Sequence, residues 1–380
     1  MSIRDFKTIN KRLQFIEENK KIKLENIKIY PPDLEKAQFT NCENMIGAIQ
    51  IPLGVAGPLL INGQYVKGDY YLPLATTEGA FVASVSRGCK AITQSGGVTV
   101  AVEDVGATRG PVFKTSGIKE SQKFQKWLDD NFHELRTIAS KTSGHLKLKK
   151  KGVFFVGGYV YVRFYFDTKE AMGMNMATIA TSAIVGFIEA NTAIKCISVA
   201  GNFDIDKKPS WLNFISGRGK KVWAEATISG HVIRETLKTN AQTIHNIWLS
   251  KCMLGSIMSG SLGFNAHFAN VIAALFLATG QDIAHVTEGS VGITTTEVKD
   301  DNLYVSVYLP DLMVGTIGGG TGLPSQKDAL SILNIYGEKD SSLKLAEICG
   351  SAILAGEISL LASLAEGSLA SAHERLARQK

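Results

Sequence analysis

Val160-Tyr161-Val162-Arg163-Phe164-Tyr165-Phe166 is the clearest strand in the chain. Valines and aromatic residues fill every position but one, and such side chains favour a pleated, half-buried surface. On either side the pattern changes to helix, over residues 119–140 before it and 171–190 after it. From Val112 to about Ser198 strand and helix alternate, in a block the size of a small α+β domain set inside a larger one. The composition shifts at Arg109-Gly110-Pro111, where that block begins. The division expected is an N-terminal helical arm at 1–40, a large domain at 41–110 and 199–366, an inserted small domain at 111–198, and a mobile C-terminal helix or tail at 367–380.

The flanks fit a larger unit. Gly54, Gly57, Pro58 and Gly63 punctuate a strand-and-turn region that ends near Leu74. Residues 75–92, ATTEGAFVASVSRGCKAI, read as a helix, with Thr76 or Thr77 as its cap and Gly79, Ala80 and Ala83 allowing close packing. Residues 5–27 are charged, with Leu13, Phe15, Ile16 and Ile22 at loosely helical spacing. Residues 271–280 and 343–365 read as buried helices. There is no internal repeat and no low-complexity tract.

Composition narrows the function. A chain of 380 residues calls for two or three domains. Its 45% hydrophobic and 20% charged content supplies a large core and excludes general disorder. The net charge of +6 is mild, and the basic run His145–Lys151 lacks the interleaved aromatics of a base-stacking platform, so no nucleic acid is expected. The five cysteines, Cys42, Cys89, Cys196, Cys252 and Cys349, are scattered and form no CxxC pair. That argues against a zinc or redox motif and for a reducing cytoplasm, with no metal. The N-terminus lacks an apolar signal core. The apolar stretches 271–278 and 353–365 are too short, or carry Glu357, to reach the ~20 residues that cross a bilayer. A soluble cytoplasmic protein is expected.

Few segments carry chemistry. The GxGxxG fingerprint of a dinucleotide fold is absent, since Gly217-Arg218-Gly219 is followed by Lys220-Lys221-Val222. Ala171-Met172-Gly173-Met174-Asn175 follows a strand and opens a helix, which aims free N–H groups at a phosphate. Thr316-Ile317-Gly318-Gly319-Gly320-Thr321-Gly322 lets backbone approach a ligand closely. Both are also consistent with a plain helix start and a turn. Asp206-Lys207-Lys208-Pro209 is sharper, because Pro209 keeps it off a helix and its flanks, up to Phe203 and from Trp211, are unlike open surface. A half-buried lysine there stabilises charge developing on a carbonyl oxygen. Glu78 and Asp282 are acids in apolar settings, where desolvation raises a carboxyl pKa and suits it to proton donation. The structural alternative for each is a capping or ion-paired carboxylate. His373, near the C-terminus, is either an exposed tail residue or the closing piece of a site. Cys89, beside Arg87 and Lys90, is either a buried helical residue or a thioester-forming nucleophile.

Eleven segments together carry a resemblance: ENMIGAIQIPLGVAGPL (43–59), LATTEGAFVAS (74–84), RGCKAI (87–92), TRGPV (108–112), EAMGMNM (170–176), GNFDIDKKPSWLN (201–213), GRGK (217–220), GSLGFNAHFAN (260–270), TGQD (279–282), GTIGGGTGLP (315–324) and AHERLAR (372–378). In order and spacing they resemble class I hydroxymethylglutaryl-CoA reductase, in its soluble archaeal or bacterial form. The resemblance implies a two-step, four-electron reduction of hydroxymethylglutaryl-CoA to mevalonate by two NADPH, with release of CoA. It assigns Glu78 as proton donor to the carbonyl, Lys207 as stabiliser of the oxyanion, Asp282 as their hydrogen-bond partner, and His373 as the acid that neutralises the CoA thiolate. It places Arg109, Asn202, Asp206, Lys208, Lys251 and Asn270 on the hydroxymethylglutaryl group, and Ser84, Arg87 and Lys90, with Lys238, on the CoA path. Met172, Gly173, Met174 and Asn175, together with Ile317, Gly318 and Gly319, would hold the nicotinamide cofactor. The implied fold is α+β: a large, mainly helical substrate domain with central strands and an inserted ferredoxin-like cofactor domain. The implied assembly is a homodimer or a tetramer of dimers, with the site at the dimer interface.

Three positions depart from the family pattern. Ser143-Gly144-His145 stands where relatives carry Ser-Arg before an aromatic residue or His. Without that arginine, Lys147 or Lys149–Lys151 would have to meet the adenosine phosphate of NADPH, or NADH would serve instead. Glu170 replaces an Asp in the same cofactor region, and Ala200 replaces a Ser beside the substrate. The competing functions are an acyl-CoA reductase that works through a Cys89 thioester and a non-catalytic relative that only binds CoA.

Overall fold

The computed structural model describes residues 2–367. Its strands are β1 (Leu53–Asn62), β2 (Lys67–Ala75), β3 (Val98–Arg109), β4 (Val112–Lys114), β5 (Lys147–Val156), β6 (Tyr159–Asp167), β7 (Lys195–Ser198), β8 (Arg218–Ile228), β9 (Ile293–Lys299) and β10 (Asn302–Leu312). They form one mixed α/β framework whose sheet runs β7-β4-β6-β3-β8-β10-β9, with β5 on the free side of β6 and the β1–β2 hairpin joined to β3. Every pairing is antiparallel except the short one between β1 and β3.

Strand β3 is the pivot. Its first part, from Thr99 to Gly106, pairs with β8, and its last residues, Ala107–Arg109, pair with β6. Gly106, at φ +104 and closely against Phe166, turns the strand from one partner to the other. Arg109 is thereby delivered to the seam between two hydrophobic cores.

The smaller core is built on β6, whose Val160, Val162, Phe164 and Phe166 are all fully buried. Helices Ile118–Asp130, Phe132–Thr142 and Met174–Asn191 cover it. The helical pattern at 119–140 is thus two helices, because the chain leaves helical geometry at Asn131. In chain order the block reads β4, two helices, β5, β6, one helix, β7, and in space it reads β7-β4-β6-β5.

The larger core surrounds helix Ser341–Glu366, which packs on helices Phe81–Gln94 and Phe268–Thr279 and on β3, β8 and β10. This helix corrects a sequence expectation. It has 26 residues and is long and apolar enough to cross a membrane by length and composition. It is instead wrapped on nearly every side, as a helix apolar all round must be. Its two buried glutamates are satisfied: Glu357 accepts from Ala266 N (2.7 Å), His267 N (2.7 Å) and Thr294 Oγ1 (2.6 Å), and Glu347 accepts from the backbone of Gln64, Tyr65 and Val66. Each carboxylate thus clamps a loop that lies against the helix.

A second correction concerns residues 75–92. Ala75 still pairs with Leu53 in the hairpin, so the helix begins only at Phe81, after Ala80 at φ 67. Thr76 caps a turn rather than the helix, its Oγ1 accepting from Glu78 N at 3.0 Å. The main helix of the N-terminal segment is Ile9–Lys20, with only short helical turns on either side of it and a one-turn helix at Ala37–Thr40. It is tied down by buried Arg12, which donates to Met45 O, Phe6 O and Gln38 Oε1 at 2.8, 3.0 and 2.8 Å.

Candidate active site

The Asp206-Lys207-Lys208 segment lies on the loop between β7 and helix Trp211–Ser216. Asn202, Ile205 and Lys207 all take positive φ there (60, 52 and 58°). Three left-handed non-glycine residues in so short a span mark a backbone that its surroundings hold in place. Those surroundings are charged and buried. Arg218, fully buried at the start of β8, donates to Asp206 Oδ1 at 2.7 Å and to Glu288 Oε1 at 2.8 Å. Glu288 Oε1 also accepts from Lys207 N at 3.2 Å. Asn213 donates to Ile205 O (3.1 Å) and to Asp311 Oδ2 (2.6 Å), and Arg109 pairs with Asp204 at 3.0 Å.

The lysine side chain then leaves the loop and meets Asp282, Nζ to Oδ2 at 2.7 Å. Asp282 ends the Phe268–Thr279 helix connection and caps the turn Ile283–His285 by accepting from Ala284 N at 3.1 Å. Here an expectation fails. Burial does push the Asp282 carboxyl up, but the Lys207 hydrogen bond, the Ala284 N–H and the charges of His285 and Lys207 outweigh it, and the carboxyl stays below its usual range. Asp282 is thus built to remain an anion beside Lys207, not to donate a proton.

Lys207, Asp282, Arg109 and Asp206 line one wall of a cleft of about 830 Å³. Met172, Gly173, Met174 and Asn175, together with Ile317, Gly318 and Gly319, line the same cleft. A bridge between Ala171 and Ile317 joins these two glycine-rich segments, and a Cβ at Gly315 would lie 2.2 Å from Met172 N. Gly173, at φ 90, caps helix Met174–Asn191 and leaves its N-terminal N–H groups toward the cleft. Gly318 and Gly319, also at positive φ, have open space where a side chain would sit. Two glycine-rich segments thus border the same cleft as an ammonium–carboxylate pair.

The other expected residues fall elsewhere. Glu78 is exposed, not in an apolar setting, because residues 76–80 form a turn at the surface. Its Oε2 accepts from Asn270 Nδ2 at 2.9 Å. Asn270 and Lys251 line a second cleft of about 730 Å³, and Lys251 sits in the wide π-helical turn Leu249–Gly255. No hydrogen bond or ion pair joins Glu78 to Lys207 or Asp282 among the described residues. Arg87, Lys90 and Lys238 converge on a third cleft of about 610 Å³. Ser84 instead meets Ser359, Oγ to Oγ at 3.0 Å, and Arg87 also grips Ser359 O at 2.6 Å. Lys208 reaches Asn202 Oδ1 at 3.3 Å. His373 lies outside the described residues.

Two cofactor-side positions also differ from expectation. The Glu170 carboxylate is turned away from the cleft and accepts from Asp340 N (3.0 Å) and Ser342 N (2.8 Å), capping the start of helix Ser341–Glu366. Ser143 lies 3.7 Å from Met176 Sδ at the cleft's edge, while Gly144 and His145 are exposed. Of the nearby lysines, Lys149 pairs with Asp104, Lys151 with Asp129, and Lys150 lies over the Tyr165 ring; Lys147 is exposed. Cys89 is fully buried, and burial pushes its thiol up to about 12. No thiolate is available there for a covalent thioester.

Sequence reasoning passed over Arg218, His285, Glu288 and Asp311. Arg218 was visible as an interruption in a failed glycine motif and inside the segment GRGK, with no role attached to it, and nothing in the local pattern marks the other three. Asp206, His285 and Glu288 place ligand atoms within 4.8 Å of one another, as a metal site would. The Arg218 guanidinium already supplies the positive charge between two of them.

The family model for hydroxymethylglutaryl-coenzyme A reductase matches residues 8–378. The chain is 50% identical over 373 residues to the 3-hydroxy-3-methylglutaryl-coenzyme A reductase of Methanocaldococcus jannaschii, covering 97% of this chain and 92% of that one. It is 40% identical to reductase 1 of Dictyostelium discoideum, covering 97% of this chain and 68% of that one. Among solved structures, the Streptococcus pneumoniae reductase superposes with a TM-score of 0.70 at 19% identity, covering 95% and 98% of the two chains. A class II reductase from the same organism, bound to NADPH, gives 0.67 at 20% identity, covering 95% and 98%. At those identities the structures speak for the fold. The extent of the family match and of the curated identities settles membership: the chain belongs to the hydroxymethylglutaryl-coenzyme A reductase family.

Proposed function

We propose that the chain reduces (S)-3-hydroxy-3-methylglutaryl-CoA to (R)-mevalonate in two steps, using two NADPH and releasing CoA. The observation that carries this is the Lys207 Nζ–Asp282 Oδ2 pair at 2.7 Å, which lines one cleft together with the joined glycine-rich segments. Met172–Asn175 and Ile317–Gly319 would hold the nicotinamide cofactor, which supplies hydride when bound. Lys207 is the electrostatic centre: its ammonium faces the carbonyl oxygen as charge builds there in each reduction. Asp282 holds that ammonium in place. Arg109, beside Asp204 and Asp206, presents a cation at the same wall for the free carboxylate of the substrate. Glu78 is the proton donor to the carbonyl and His373 the donor to the departing thiolate. Arg87, Lys90 and Lys238 bring three cations to one cleft, as a CoA path with its phosphates requires.

The separation of Glu78 from Lys207 supports an active site completed by a second subunit, with one chain's lysine loop reaching its neighbour's glutamate. A homodimer or a tetramer of dimers follows. The order β7-β4-β6-β5 with its covering helices supports a ferredoxin-like cofactor domain at 111–198, inserted into a substrate domain at 41–110 and 199–366. Membership of class I rests on the order and spacing of the shared motifs, among them GNFDIDKKPSWLN (201–213) and AHERLAR (372–378).

Initial rates with hydroxymethylglutaryl-CoA, first with NADPH and then with NADH, test the activity and the coenzyme together. Lys207→Ala is expected to lower kcat on both the thioester and free mevaldehyde, each by about 10²–10³-fold. His373→Ala is expected to slow the thioester far more than mevaldehyde, which has no thiolate to neutralise. Turnover of either substrate by Lys207→Ala at the parental rate would refute the assignment.

A further inference from the structure

His285 is completely buried and lies at the end of the turn that Asp282 caps. Its Nδ1 is 2.5 Å from Glu288 Oε1. Its Nε2 has no hydrogen-bond partner among the described residues and lies 3.8 Å from Asp282 Oδ2. Glu288 Oε1 also accepts the backbone N–H of Lys207 at 3.2 Å. One imidazole–carboxylate dyad therefore underlies both halves of the Lys207–Asp282 ion pair. Glu288 holds the lysine's strained backbone, and His285 faces the aspartate's carboxylate.

The arrangement constrains where protons sit. A neutral imidazole that donates Nδ1–H to Glu288 would turn its Nε2 lone pair on a carboxylate, and the two would repel. A proton on Nε2 removes that conflict and gives Asp282 a cationic partner. The charged groups around the ring come from several elements. Asp282 and Glu288 come from its own segment, and Asp206 Oδ1 lies 3.9 Å from Nδ1. Against these stand Lys207 on the loop and Arg218 on β8, the latter also 3.8 Å from Asp311 of β10.

We propose that His285 is a positioning residue which, held by Glu288, carries a proton on Nε2 toward Asp282 and so keeps Asp282 ionised and the Lys207 ammonium aimed into the cleft. This rests on the assignment of Lys207 and Asp282 to the reaction. Asp282 is already held below the usual carboxylate range, with His285 among the causes. Without an imidazolium, Asp282 takes up its proton at higher pH, and the lysine loses its anchor there.

The test is the full-length enzyme carrying His285→Gln, which keeps a polar side chain but cannot become cationic. The expected result is a kcat lower by about 10–100-fold, with KM for hydroxymethylglutaryl-CoA within about twofold. The acid limb of the kcat–pH profile should move up by about one unit. A purely structural role would lower Tm and the active fraction but leave that limb where it was, and that result overturns the proposal. Should His285→Gln fail to fold, Glu288→Gln retains an acceptor for Lys207 N–H but loses the anion that favours the imidazolium. It is expected to move the same limb in the same direction, and an unmoved limb again overturns the proposal. Lys207→Ala separates the two failures. If it is inactive while the limb stays fixed in the folded variant, only the role of His285 falls; if it is active, the site assignment itself falls.

Discussion

Asp311 shows how a single residue's surroundings set its chemistry. It is fully buried, and burial pushes its carboxyl up to about 7; the Glu288 charge adds to that, and Arg218, Arg163 and the Asn213 hydrogen bond pull against it. Its folded pKa thus lies above the unfolded value of about 3.9. The stability linked to it is fully present below that unfolded value and is lost as pH rises through about 7. Asp311→Asn keeps an acceptor for Asn213 and removes the titration, so Tm measured from about pH 5 to about pH 9 is expected to fall less steeply in the variant. Parallel curves for variant and parent would sink that account. Cys89 is the converse case. Its neighbours Arg87 and Lys90 look activating in sequence, yet the helix turns the thiol inward while Lys90 points to solvent. Cys89→Ala is expected to leave kcat within about twofold of the parent, since the thiol touches no cleft. Loss of turnover in a folded Cys89→Ala enzyme would reopen the thioester route.

At the scale of elements, the contact between helices Phe81–Gln94 and Ser341–Glu366 sets what each can tolerate. A Cβ added at Gly88 would come within 1.8 Å of Ala355 O. Backbone stands in the way, so the helices must separate. Gly88→Ala is expected to cost about 3 kcal/mol, or to prevent folding, as read from the urea midpoint. An unchanged midpoint would mean that the helices do not pack this closely. The same contact orients Arg87, one residue earlier, against Ser359 and beside Lys90 and Lys238. Strand β6 and the long apolar helix were readable as elements because their side chains repeat one character along the chain. The start of the Phe81 helix was not. Small residues and threonines at 75–80 suit a helix start by composition, but the hairpin claims Ala75 and a left-handed Ala80 forces a turn.

The proposed assembly is a property of the whole molecule. Lys207 lines one cleft, while Glu78 is bonded to Asn270, which lines another, and large apolar side chains such as Met258 (89% exposed) and Ile257 (59%) stand open beside the Lys251 turn. On the proposed shared site, co-expressing Glu78→Gln and Lys207→Ala chains is expected to restore turnover that neither variant has alone, because a mixed dimer would rebuild one intact site. Mixed assemblies no more active than their parents would place both residues in the same subunit's site. Local pattern was enough to find the β6 strand, the glycine-rich segments and the lysine loop, since periodicity and residue type act over a few neighbours. Likeness of whole motifs then supplied the family and the candidate roles. Folding alone decided that Asp282 stays anionic, that Glu170 caps a helix, and that His285, Glu288 and Arg218 lie beneath the lysine. Those outcomes depend on which distant side chains share a buried space and how their charges balance there, and no stretch of chain carries that information by itself.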